Sequence, residues 1–134
     1  MPKKKPSLIC AYDKKNFDPP APVLEVSLSI PALSFPRQII ESPALLDSGA
    51  DITVIPQWIA QQLQLKYVDE IEIIGYNGVK EQTYVYSVKI IFDNLGDLVI
   101  RTIASNSGYV LIGRDILNKW SLFLKGRSKI FEIS

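Results

Sequence analysis

A chain of 134 residues with a formal net charge of +1 suits one domain with a modest core, and it carries no field to steer it towards nucleic acid or an anionic membrane. It has no histidine and a single cysteine, Cys10, which excludes Ser-His and Cys-His nucleophiles, an internal disulfide and a Cys-rich zinc site. No Gly-rich phosphate loop precedes a helix, the apolar stretch Leu8-Ile9-Cys10-Ala11 is too short for a secretory leader, and no run reaches membrane length. The default setting is reducing and cytoplasmic.

Residues 1–22 are rich in Lys and Pro, from Lys3-Lys4-Lys5 to Asp18-Pro19-Pro20-Ala21-Pro22, a composition that predicts an extended or disordered arm. Alternation then begins, with Leu24, Val26, Leu28 and Ile30 on one side and Glu25, Ser27 and Ser29 on the other, as in a half-buried strand. Pro31 and Pro36 bracket a loop or broken strand, and residues 37–46 resume as a strand. Pro56 suits the first turn of a short helix over 56–63, with Ile55, Ile59 and Leu63 on one face and Trp58 widening it. Strands over 69–75 and 79–92 are joined at Tyr76-Asn77-Gly78, where Asn-Gly is a strong hairpin signal. A turn at 93–97, a strand over 98–104 and a turn at 105–108 follow. The apolar run Tyr109-Val110-Leu111-Ile112 then enters Gly113-Arg114-Asp115 and a short helical piece. Residues 122–124 and 129–133, separated by Gly126-Arg127-Ser128, read as a closing hairpin. Many short strands with two helical pieces predict a mostly β, barrel-like domain over residues 23–134.

The chemistry concentrates in Asp47-Ser48-Gly49-Ala50. It follows the apolar run Ala44-Leu45-Leu46 and precedes Ile52-Thr53-Val54-Ile55. A carboxylate delivered by a buried strand into a tight turn is poorly solvated, a cost seldom tolerated without a purpose. Together with Val110-Leu111-Ile112-Gly113-Arg114-Asp115 downstream, this pattern resembles the retropepsin-like family. Its members are the single-domain, homodimeric aspartic proteases of retroviruses and their cellular relatives. The matching stretches are residues 45–55 and 110–117, and the resemblance extends from about Val23 to the end of the chain.

The resemblance implies a β-barrel with a flap hairpin and one or two short helices, acting as a homodimeric aspartic endopeptidase on a peptide or protein. Asp47 is its catalytic residue, and because the loop occurs once, the second carboxylate must come from another copy of the chain. Two such carboxylates share one proton and activate a water, with no metal or cofactor. Of the remaining loop residues, Ser48 bonds across the two-fold axis, Gly49 turns its N–H towards the carboxylate, and Ala50 offers no hydroxyl donor. Asp51 lies at the substrate groove and pairs with Arg114, while Ile112, Gly113 and Arg114 support the loop. Gly75, Tyr76, Asn77 and Gly78 form the flap tip that binds substrate. The partners expected are the chain itself and its substrate, with no nucleic acid and no membrane. Three features depart from the family pattern: Ser48 stands where Thr is commoner, the arm before Val23 is additional, and the hairpin over 121–134 stands where short terminal strands of two chains interleave in the retroviral enzymes. The rival is a non-catalytic domain that keeps this fold for peptide binding or dimerisation.

Overall fold

In the computed structural model, residues 8–31, 38–75 and 77–134 are described. The alternating segment forms β2 (Val23–Ser29), whose Leu24, Val26 and Leu28 are buried. It pairs antiparallel with β3 (Ile40–Leu46), matching Leu24 to Ala44 and Leu28 to Ile40. The alternation slips at the end of β2: Ser29 is fully buried and Ile30 faces solvent. Here β2 is also paired with β6 (Lys80–Phe92), Ser29 lying opposite Lys89, and the Ser29 hydroxyl finds an acceptor in the Ile30 carbonyl at 3.2 Å. The strand that feeds Asp47 starts at Ile40 rather than at residue 37; Arg37 and the Pro36 end of the preceding loop lie outside the described residues.

Beyond Asp47 the chain makes β4 (Val54–Pro56), α1 (Gln57–Gln62), β5 (Tyr67–Ile74), β6, β7 (Gly96–Ser105), β8 (Val110–Ile112) and α2 (Arg114–Leu117). The sheet order is β2-β3-β8-β4-β7-β6-β5. The extra β2–β6 pairing curls the sheet into a six-stranded barrel, with β5 extending from β6 as one arm of a hairpin. Pro56 ends β4 and occupies the N-cap of α1 with extended backbone, so the helix begins one residue later than its position in the sequence suggests. Ile55, Ile59 and Leu63 are all buried, whereas Trp58 is 45 % exposed and adds nothing to that apolar face. The barrel is filled by Leu28, Ile55, Ile59, Ile90, Ile112 and Ile116, all fully buried.

A second, three-stranded sheet closes one end. The predicted hairpin is present as β9 (Leu122–Lys125) and β10 (Ile130–Ile133), and β1 (Leu8–Ala11) pairs antiparallel with β10, Leu8 opposite Ile133 and Cys10 opposite Phe131. From Leu8 the arm is built into the fold, first as β1 and then as a loop closed by an Asp13–Ala21 bridge. Phe131 and Ile133 are fully buried against the barrel, where Leu8, Cys10 and Leu122 join them. Burial raises the Cys10 thiol above its ordinary range. Phe92 and Trp120 meet edge to face at 5.0 Å between barrel and terminal sheet. The opposite face of this sheet leaves Ile9 and Phe123 exposed.

This division of faces has a measurable consequence. Phe131→Ala is expected to cost about 3–5 kcal/mol, the loss of a fully buried aromatic plus the cavity it leaves. Phe123→Ala, on the exposed face, is expected to change stability by less than about 1 kcal/mol. Urea denaturation of the two variants checks this, and equal effects would show that the terminal sheet is not packed as described.

Candidate active site

The catalytic candidate stands where two buried strands run side by side. β3 and β8 are parallel, with Ala44 opposite Val110 and Leu46 opposite Ile112. The Asp47 N–H donates to the Ile112 carbonyl at 2.9 Å, so the ladder continues one residue past β3 and fixes where the side chain leaves the sheet. The turn then closes with the Ala50 N–H on the Asp47 carbonyl at 3.2 Å. The Gly49 N–H donates to Asp47 Oδ1 at 2.9 Å, a bond that favours the ionised carboxylate. Asp47 is half-buried, while Ser48 and Gly49 are exposed.

Arg114 straps this loop from below. Its backbone N–H donates to the Ala50 carbonyl at 2.8 Å, and its guanidinium donates to the Ser48 carbonyl at 3.1 Å and pairs with Asp51. The structure thus brings Ser48, Ala50, Asp51 and Arg114 together. The ion pair lies at the surface of the single chain, with the Arg114 and Asp51 side chains 48 % and 85 % exposed. An exposed pair of this kind contributes little as a charge interaction. Its value here is positional, because one planar guanidinium ties two points of the turn to α2.

Two residues that sequence reasoning did not single out, Thr53 and Asp115, complete the support. Thr53 is fully buried. Its hydroxyl donates to Asp115 Oδ1 at 2.7 Å and accepts the Gly113 N–H at 3.1 Å, while its own N–H donates to Asp115 Oδ2 at 3.1 Å. Asp115 also accepts the Ile116 N–H at 3.0 Å. Both carboxylate oxygens are therefore used to bind the Asp47 loop's exit strand to the start of α2. The available signal was an acidic residue in the first turn of a helix, a place where a carboxylate finds free N–H groups. Gly113 is needed for close approach: a Cβ there would meet the Ile52 carbonyl carbon and oxygen at 2.7 and 2.8 Å and the Ala50 oxygen at 3.0 Å, all backbone atoms.

Across from the loop rises the β5–β6 hairpin. Its tip is closed by Gly75 N–H to the Val79 carbonyl at 3.1 Å, Gly78 N–H to the Gly75 carbonyl at 2.9 Å and Val79 N–H to Asn77 Oδ1 at 3.1 Å. Gly78 has φ +76°, a left-handed conformation that glycine adopts without strain. Tyr76, named with the tip, lies outside the described residues. Between hairpin and loop opens a cleft of about 440 Å³ lined by Ala50, Asp51, Ile52, Val54, Ile73, Ile74, Gly75 and Ile103. Asn77 and Gly78 do not line it. Asp47 is not among the lining residues; its loop reaches the cleft through Ala50 and Asp51.

Thr53→Val keeps the volume but removes the hydroxyl that serves Gly113 and Asp115. It is expected to cost about 2–3 kcal/mol, because a buried N–H and a carboxylate oxygen lose their partner. Thr53→Ser restores most of that loss, and Gly113→Ala is expected to be at least as damaging as Thr53→Val since only backbone can yield. Thermal or urea unfolding decides this, with a near-neutral Thr53→Val counting against the network.

Residues 19–125 match the family described as retroviral aspartyl protease. The fold is similar to that of a retropepsin-like aspartic protease from Rickettsia conorii, at 11 % identity and a TM-score of 0.64, covering 96 % of this chain and 89 % of that one. It is also similar to the EIAV protease complexed with the inhibitor HBY-793, at 20 % identity and a TM-score of 0.56, covering 82 % and 93 %. The protease of simian foamy virus (mac) matches at 19 % identity with a TM-score of 0.51, covering 70 % and 91 %. A comparison with curated proteins returns no match. A single Asp-Ser-Gly loop at the end of parallel strands, a hairpin over it and a family match across most of the chain lead to one statement: this chain belongs to the retroviral aspartyl protease family and has the retropepsin-like fold.

Proposed function

We propose that this protein is a homodimeric aspartic endopeptidase in which two Asp47 carboxylates, one per chain, activate the water that hydrolyses a peptide bond. The observation that carries the reading is Asp47 itself: a half-buried carboxylate, set by the Ile112 carbonyl and the Gly49 N–H, in a loop whose Ala50 and Asp51 line an apolar cleft beneath a hairpin. One chain supplies one such group, and the reaction needs two.

Two like charges a few ångströms apart do not both ionise readily, so the pair holds one proton between them. The ionised member accepts a proton from the water as it attacks. The protonated member donates to the carbonyl oxygen of the scissile bond, and collapse of the tetrahedral intermediate expels the amine. No covalent acyl-enzyme forms, and the chemistry calls for neither metal nor cofactor. Ser48, exposed at the turn, is placed to reach its counterpart in the second chain. The substrate lies extended between the cleft floor and the hairpin, held by main-chain bonds from Gly75 to Gly78 and by Asp51, whose exposed carboxylate accepts backbone N–H groups. Ile52, Val54, Ile73 and Ile103 supply apolar contact for its side chains.

Asp47→Asn is expected to lower peptide cleavage by about a thousandfold or more while the domain stays folded, since the change removes a charge and no core volume. Cleavage of a peptide library with a circular dichroism control tests this. A variant that cleaves like wild type rejects the assignment, and a wild type that binds peptides without cleaving them favours the non-catalytic alternative.

Specific activity is also expected to fall as the protein is diluted below the dissociation constant of the dimer, because each site is assembled from two chains. A specific activity independent of concentration over several decades, with a monomer in sedimentation, would sink the shared site.

A further inference from the structure

The segment between β7 and β8 ends in Tyr109, held by a local pair of bonds: the Tyr109 N–H donates to Ser107 Oγ at 3.3 Å, and that hydroxyl donates to the Tyr109 carbonyl at 2.9 Å. In β8, Val110 and Ile112 are buried and Leu111 is half-buried, so Tyr109 and Leu111 face away from the barrel core. In β3, Ala44 and Leu46 are buried while Leu45, paired with Leu111, is half-buried. Asp47 follows Leu45 by two residues and continues the ladder through its N–H. Asp47, Leu45, Leu111 and Tyr109 therefore share one face, the face that carries the carboxylate. Four residues of strand rise separate Tyr109 from the level of Asp47, roughly 13 Å.

The N-terminal arm folds back beside these strands. Asp13 and Ala21 exchange backbone bonds at 2.8 and 3.1 Å, closing a loop, and the Pro22 carbonyl accepts the N–H of Leu46, next to Asp47, at 3.0 Å. Within the loop Phe17 sets its ring against Tyr109, centroids 5.1 Å apart at 67°. Both rings are half-buried. Phe17 is not part of the barrel core, nor of the terminal sheet, where Tyr12 meets Phe131. Through its contact with Tyr109 the Phe17 ring is set beside the strand that shares a face with Asp47.

We propose that Phe17 is a specificity-determining residue: with Tyr109 it forms an aromatic outer wall of the substrate groove that selects a large apolar or aromatic substrate side chain. An extended peptide also rises about 3.3 Å per residue, and a tyrosine ring reaches inwards, so the selected side chain is about two or three residues from the scissile bond. The arm is then a part of the recognition surface. This inference rests on the peptide-cleavage reading for its catalytic consequence, but its structural content, an aromatic contact with bound peptide, is independent of turnover.

The test uses the full chain and fluorescein-labelled peptides that differ only in the residue two or three places from the cleaved bond, carrying Ala, Leu or Phe. Wild type is expected to favour Phe and Leu over Ala in kcat/KM. Phe17→Ala is expected to shrink that ratio about tenfold, and Phe17→Leu, which keeps an apolar anchor for the arm, to shrink it only in part. A ratio that stays the same in Phe17→Ala, whether or not overall activity falls, would show that the ring only anchors the arm and overturn the proposal. Fluorescence anisotropy with Asp47→Asn, alone and combined with Phe17→Ala, separates the two levels. A wild type without cleavage defeats the endopeptidase reading alone if Asp47→Asn still binds the Phe peptide tighter than the Ala peptide and loses the difference on Phe17→Ala. Equal binding of both peptides defeats the subsite.

Discussion

The parallel pairing of β3 with β8 is the constraint on which the rest of this structure depends. Two short apolar strands, far apart in sequence, must lie in register so that the Ile112 carbonyl meets the Asp47 N–H. Parallel pairing cannot be made by a local turn, and it survives only where both strands are buried. The chain meets this requirement by threading β4 on the other side of β8, with Val54 opposite Leu111, so β8 sits between neighbours and its Val110 and Ile112 are fully enclosed. The carboxylate thus emerges from the most buried part of the barrel at a point where water and a peptide can reach it.

Polar groups near that point are arranged to prevent the loop from relaxing. Thr53 and Asp115 consume the hydrogen-bonding capacity that strand and helix ends would otherwise leave open, and Arg114 ties the exposed part of the turn to α2 by backbone and side chain. No buried side-chain polar atom among the described residues lacks a partner. That completeness matters because a half-satisfied network in a low-dielectric site costs more than an apolar replacement would. The hairpin opposite is built differently. Its described tip residues are exposed, its ion pair between Lys80 and Glu72 is at the surface, and β pairing is joined by a Tyr67–Tyr84 ring contact at the far end. Under the proposed function, a firmly bonded floor and an exposed cover suit a groove that admits a chain and closes on it.

Much of this was legible in the chain because local patterns coincide with long-range needs. Alternation gave β2, Asn77-Gly78 gave the hairpin, and the apolar runs flanking Asp47 and preceding Gly113 gave the strands that form the centre. What escaped has a common cause, dependence on partners distant in sequence. Leu8-Ile9-Cys10-Ala11 is too short and too close to Lys and Pro to read as a strand, and becomes one because β10 lies beside it. Ser29 is buried and Ile30 exposed because β6 takes over the end of β2. Trp58 carries the hydrophobicity of a core residue but sits on the outer side of α1, where apolar character alone cannot distinguish the faces. Asp115 reads as a helix-start acid until Thr53, 62 positions away, is seen to donate to it.

The terminal sheet bears on how the proposed dimer would associate. Among the described residues this sheet has the order β1-β10-β9, with β1 and β9 as its edges. Phe131 and Ile133 already bury its inner face on the barrel. Association then draws on what the finished protomer leaves open, namely the exposed Ser48-Gly49 turn beside Asp47 and the apolar Ile9, Phe123 and Leu124 on the terminal sheet. On the proposed reading, a folded protomer carries half a site, and activity is set by the concentration of the chain and by the peptide that bridges the two halves.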